Sequence, residues 1–187
     1  MKRIEASEHL SPWMVAIPEM QITRADAVSF EAFYEANVDR VFGAMYLVCG
    51  STHEAEDVVQ EAFVRAYERW DQVMAAGNPE GYVYRIALNV HRGRLRRMAV
   101  AARKRLMLGR DQEKGDDMAE VEERAVLRRC LDALSPKLRE ALVLVEWLGL
   151  SDEEAGAVLG VRAVTVRVRC SRARAALRPI FEGEADG

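Results

Sequence analysis

The chain has 187 residues, half of them apolar and 30% charged, with a formal net charge of −3. That is enough apolar chain for two small cores or one medium one, so disorder is not the default reading. No stretch approaches the roughly 18 apolar residues of a membrane span, and the N-terminus lacks an apolar run followed by a small-residue cleavage site, so a cytoplasmic protein is expected.

Charge is unevenly spread. Residues 1–80 carry fourteen Asp/Glu against six Lys/Arg, whereas residues 82–110 carry nine Lys/Arg and no acid. Residues 111–123 are acidic again, and residues 162–178 hold six Arg and no acid. Two basic blocks are thus separated by an acidic connector, and localised positive charge matters more for binding phosphates than the total does.

Residues 1–26 show no clear period and read as a loose extension. Phe30, Phe33, Tyr34, Val38, Val41, Phe42 and Met45 then recur at steps of three and four, as do Val58, Val59, Ala62, Phe63, Ala66, Tyr67 and Trp70. These are two amphipathic helices facing one core. Gly50-Ser51-Thr52 supplies a break and an N-cap between them, and Gly77-Asn78-Pro79 ends the second. A third helix is predicted from about Glu80 to Leu106, with Gly93 as a soft spot.

The polar segment at about 109–120 marks a domain boundary. Beyond it, Leu127, Leu131 and Leu134, then Leu138, Leu142, Val145 and Leu148, give further helical faces, interrupted by Ser135-Pro136 as N-cap and first-turn pair. Ser151 and Glu154 match a capping box, Ala155, Val158 and Leu159 form an inner face, and Gly160-Val161 turns the chain into a last helix over roughly Ala163 to Phe181. The expected fold is all-α, two small helical domains joined by a flexible linker.

Cys49, Cys130 and Cys170 are odd in number and contain no CxxC pair, against a disulfide framework or a standard zinc site. Cys49 and His53 are four apart, but one Cys/His pair lacks the remaining ligands of a metal. No metal, cofactor or small-molecule substrate is expected. No clustered Asp/Glu/His site, phosphate loop or nucleophile-base pair suggests an enzyme.

The run SDEEAGAVLGVRAVTVRVRCSRARAAL has the build of a helix-turn-helix. In a regular second helix Val166, Cys170, Ala173 and Leu177 form one inward seam. Val164, Val168, Ser171 and Arg172 then lie opposite, with Thr165 and Arg169 on one flank and Arg167 and Arg174 on the other. With Arg162 at its start, this face is the candidate duplex-DNA surface, Arg178 being a further phosphate contact. The competing reading, a merely solvated Arg-rich helix, lacks the balancing Glu such helices carry.

AEDVVQEAFVRAYERW (55–70), NPEGYVYRIALNVHRGRLRR (78–97) and the run from LSPKLREALVLVEWLGLSDEEAGAVLGV to RAR (134–174) resemble bacterial RNA polymerase sigma factors of the extracytoplasmic-function group, over about residues 29–181. The resemblance implies a sigma factor that binds core polymerase, on its β′ clamp and β flap, and directs initiation at promoters without catalysis of its own. It implies an N-terminal extension at 1–26, region 2 at 27–108, an acidic linker at 109–123 passing through polymerase channels, and region 4 at 124–183. Asp57, Gln60 and Glu61 are implied to dock on the clamp, where carboxylates suit a basic helix. The −10 element is implied to be recognised and melted by Tyr82, Tyr84, Arg85, Asn89, Arg92, Arg96 and Arg97, aromatics stacking on bases while Arg holds the backbone. A flipped base is implied near Asp71 to Asn78. Either tyrosine also suits a core, and one of each is expected. The −35 element is implied to meet Arg162, Val164, Thr165, Arg167, Val168, Arg169, Ser171, Arg172 and Arg174. An anti-sigma partner is common in the family.

The sequence departs from the family where Tyr82 stands for Trp, Gly93 for Asp, and Val164 and Val168 for Gly and Ser. The two valines favour thymine methyl groups. The charge blocks also suggest that, free in solution, the acidic face of the first domain masks the basic helix of the last. The alternative function is a stand-alone helix-turn-helix regulator that binds a palindrome as a dimer.

Overall fold

The computed structural model describes residues 29–107 and 130–185; the expectations for 1–26, 109–123 and Leu127 lie outside them. Helix α1 spans Phe30–Cys49 and α2 spans Thr52–Tyr67. Ser29 caps α1, its hydroxyl accepting from the Ala32 N–H. Gly50 closes that helix in the left-handed region, at φ 72°, and donates its N–H to the Tyr46 carbonyl. A side chain is disfavoured in that conformation, so the glycine marks the turn. Ser51 caps the next helix through the Glu54 N–H. Two residues thus reverse the chain and lay Val41, Ala44, Met45 and Val48 on Val58, Val59, Ala62 and Phe63.

Helix α3, Trp70–Ala75, is an addition to the predicted elements. The chain breaks at Glu68-Arg69 instead of running on to Gly77, which buries Val73 and sets Trp70 against Phe30 and Phe33 at ring distances of 5.4 and 5.1 Å. The Phe30–Trp70 rings meet at 89°, edge on, where the positive rim of one faces the negative face of the other. Helix α4 runs over Pro79–Met107, close to its predicted bounds and uninterrupted by Gly93. The Asn78 side-chain oxygen accepts from the Gly81 N–H at its start. Its first half buries Val83, Tyr84, Ala87, Leu88 and Val90, while Leu95, Met98 and Val100 in its second half are exposed.

In the C-terminal half, Leu131 and Leu134 are buried ahead of α5, Pro136–Leu142. Ser135 holds the predicted cap position and Pro136 the first turn, although the serine side chain makes no cap hydrogen bond. The helix widens without a break into a π-helical turn over Val143–Trp147, where the Leu148 N–H reaches back to the Val143 carbonyl. Helix α6, Asp152–Leu159, begins with both bonds of the predicted capping box, and the Ser151 N–H and hydroxyl, both donating to the Glu154 carboxylate, lower its pKa. Gly160, at φ 69°, turns the chain into α7, Ala163–Ala185. A Cβ on Gly156 would lie 2.8 Å from the Val161 carbonyl oxygen, so the turn closes only over a glycine.

The two halves are packed together through one continuous apolar core. Helix α4 lies against α6, and α1 against α5 and the π turn. Trp147 covers Gly43, where a Cβ would sit 3.6 Å from the indole. Arg40 donates to the Leu148 carbonyl at 2.8 Å, and Arg139 to the Val48 carbonyl at 3.2 Å, so each half supplies a guanidinium to the other's backbone.

Candidate nucleic-acid interface

Helix α7 follows the predicted seam: Val166, Cys170 and Ala173 are buried and Leu177 packs beside them. On the other side Val164 and Val168 are 54% and 43% exposed. Arg162, Arg167, Ser171, Arg172 and Arg174 are also exposed. Acids of the same half hold two of these cations: Arg167 donates to Asp152 at 3.0 Å, and Arg174 Nε to Glu146 at 3.1 Å. Thr165 and Arg169 are half-buried, and Arg169 lines a cleft of about 430 Å³ together with Arg92, Arg96, Pro136 and Leu159.

Helix α4 separates the two tyrosines. Tyr82 is half-buried, with the Arg85 guanidinium 4.9 Å from its ring centre. Tyr84 is 1% exposed, its hydroxyl 3.4 Å from Glu80, and burial followed by the nearby Glu80 charge pushes its phenol pKa up. The placement of Tyr84 among the DNA-contacting residues is therefore corrected: it is a core aromatic. Asn89, Arg96 and Arg97 are exposed. Arg92 is engaged, forming a two-pronged pair with Glu140 of α5, Nε to Oε1 at 2.9 Å and Nη2 to Oε2 at 2.6 Å. The Glu140 side chain is 3% exposed and the Arg92 side chain 29%.

On α2, Gln60 is exposed and Asp57 and Glu61 are partly so. Arg94 of α4 bridges the two carboxylates, at 2.8 Å from Asp57 and 3.1 Å from Glu61, and Arg65 pairs with Glu61 as well. The expected masking of α7 by this acidic face is not what forms. Its carboxylates are satisfied inside their own half by Arg94, and the contact between halves runs the opposite way, from Arg92 to Glu140. Sequence reasoning missed both of these links. Glu140 sits within LREAL, where spacing alone gives no sign that a carboxylate is buried.

The family profile for sigma-70 region 2 matches residues 33–100, and that for sigma-70 region 4 matches residues 124–177. The sigma factor SigW of Bacillus subtilis, of the extracytoplasmic-function group, is 30% identical over 171 residues, covering 84% of this chain and 91% of SigW. The chain belongs to the extracytoplasmic-function sigma factors. SigE of Mycolicibacterium smegmatis is 36% identical over 156 residues, 80% of this chain, which spans 60% of the length of SigE. The sigma factor RpoE from Bartonella quintana, solved in complex with the anti-sigma factor NepR, shares the fold at a TM-score of 0.71 and 21% identity, covering 83% of this chain and 98% of that one. Sigma factors initiate transcription with polymerase and are not enzymes in their own right. In this member the matched region 2 holds α1 to α4, and the matched region 4 holds the helix-turn-helix of α6 and α7. Among the described residues no helix is long and apolar enough to cross a membrane.

Proposed function

We propose that this sigma factor docks on the polymerase clamp through Asp57, Gln60 and Glu61 and on the flap through region 4. It melts and reads the −10 element with Tyr82, Arg85, Asn89, Arg92, Arg96 and Arg97. It reads the −35 element with Arg162, Val164, Thr165, Arg167, Val168, Arg169, Ser171, Arg172 and Arg174. Residues 27–108 and 124–183 act as its two domains, with 109–123 between them, in the cytoplasm and under the control of an anti-sigma partner. The observation that carries this reading is the pairing, in one chain, of a basic helix bearing a half-buried tyrosine with a helix-turn-helix whose outer face sets Val164 and Val168 among exposed arginines.

The −10 and −35 elements lie about 25 base pairs apart, on the order of 80 Å along B-form DNA. Arg96 of α4 and Arg169 of α7 line a single cleft. Reading both elements therefore requires the two halves to part and Arg92 to leave Glu140. Each domain then contributes a weak contact, and the tether adds them as effective concentration.

The test is size-exclusion of the full chain with core polymerase, followed by transcription from a randomised promoter library. A stable complex that initiates at a defined pair of elements is expected. A chain that ignores core polymerase and binds a palindrome as a dimer overturns the proposal.

A further inference from the structure

We propose that Cys49, Glu54 and His91 form a site for one zinc ion. The three residues come from three helices: Cys49 ends α1, Glu54 lies in the first turn of α2, and His91 sits within α4. Their ligand atoms all fall within 4.8 Å of one another. The Cys49 Sγ lies 3.4 Å from His91 Nδ1, and Glu54 Oε1 lies 2.9 Å from the same nitrogen.

Two partners thus converge on one ring nitrogen, which in neutral imidazole offers either a proton or a lone pair and so satisfies one of them at a time. A cation between the three atoms satisfies all of them. Zinc–sulfur bonds of about 2.3 Å and zinc–nitrogen or zinc–oxygen bonds of about 2.0 Å place tetrahedral ligand atoms roughly 3.3–3.6 Å apart. The cysteine–histidine edge is already at that length, and the glutamate–histidine edge opens by roughly 0.4 Å to reach it.

His91 is 4% exposed, so its ring is fixed by packing, whereas Glu54 borders an open cleft of about 490 Å³ beside Ser51 and His53. Water from that cleft supplies the fourth ligand. Thiolate, imidazole and carboxylate form a mixed set that suits zinc's borderline softness. One thiolate and one carboxylate balance the dication, and Arg94 and Arg139 are the cations that face the thiol. Cys49 thus finds its further ligands in Glu54 and His91 and not in His53, the partner considered from sequence. Such an ion braces α1, α2 and α4 at their junction, and the site stands whether or not the promoter assignments do.

The test uses the untagged full chain, stripped with a chelator and titrated with Co²⁺ and then Zn²⁺. One equivalent of Co²⁺ is expected to give a thiolate-to-metal charge-transfer band that Zn²⁺ displaces, and Zn²⁺ is expected to raise Tm as the logarithm of its free concentration. Cys49→Ser, close in shape and still able to hydrogen-bond, is expected to abolish the band and to weaken zinc binding by more than the roughly 10–100-fold that losing an outer-shell partner costs. His91→Gln is expected to do the same, with circular dichroism reporting its fold; if it fails to fold, Cys49→Ser decides alone. No thiolate band, or a band unchanged in Cys49→Ser, overturns the site and leaves a hydrogen-bonded network only.

Discussion

Replacing Glu140 with Ala is expected to part the two halves of the chain. Glu140 gives both carboxylate oxygens to Arg92, at 2.9 and 2.6 Å, across the contact between α5 and α4. Removing one partner of a fully buried pair costs about 3–5 kcal/mol, because the other charge is left without compensation. Here the Arg92 side chain keeps 29% exposure and turns to water once released, so the loss is smaller, about 2 kcal/mol. At about 1.4 kcal/mol per tenfold, the closed arrangement loses roughly thirty-fold in its equilibrium constant. Single-molecule energy transfer between dyes at the exposed positions Glu56 and Glu153 reads this directly as growth of a low-transfer population. Glu140→Gln, which keeps a neutral acceptor for the guanidinium, is expected to fall between wild type and Glu140→Ala. An unchanged closed population in Glu140→Ala refutes the reasoning, and assigns the closed state to the apolar contact and the carbonyl bonds of Arg40 and Arg139.

Gly156→Ala drives a Cβ to 2.8 Å from the Val161 carbonyl inside the helix-turn-helix, so urea unfolding is expected to show a loss of about 1–3 kcal/mol; a variant as stable as the wild type removes the close approach as a reason for the glycine. Val168→Ser exchanges an exposed apolar side chain for a hydroxyl and is expected to shift −35 base preference in run-off transcription; an unchanged preference removes the valine from base contact. Alkali is expected to destabilise the protein. Burial, with Asp39 adding to it, pushes the Tyr34 phenol up to about 12, and burial also raises Tyr84. Their neutral forms are favoured by folding, so stability is full below the unfolded tyrosine value of about 10, and falls as pH rises through and beyond it. Tm is expected to decline from about pH 10 upward, with Tyr84→Phe flattening that limb; a flat profile to about pH 11 contradicts the burial argument.

What the sequence makes legible is what neighbouring residues decide among themselves. The Ser51 cap, the Ser151–Glu154 box, the left-handed Gly160 and the Val166–Cys170–Ala173 seam all follow from chemistry within a few positions, and each is present. The π turn over Val143–Trp147 was not legible, because a one-residue widening leaves the spacing of Leu142, Val145 and Leu148 unaltered. Tyr82 and Tyr84 stand two apart with equal claims on a core, and only the packing of α1 and α2 on α4 separates them. Arg92–Glu140 and Arg94–Asp57 join residues 48 and 37 positions apart. Nothing local selects those partners among the many charges available.

The Arg94 bridge bears on how any cationic ligand meets α2. A partner that takes Asp57 and Glu61 has to displace a guanidinium already seated on them, so it gains only the difference between its own contact and the one it replaces. Such an exchange swaps one ion pair for another, and its affinity should vary less with ionic strength than an unoccupied acidic face would predict. The evicted arginine sits two positions before Arg96 on α4. Occupation of the carboxylates thus adds a positive charge to the neighbouring basic stretch, and by reciprocity an anion that captures Arg94 leaves the carboxylates more receptive.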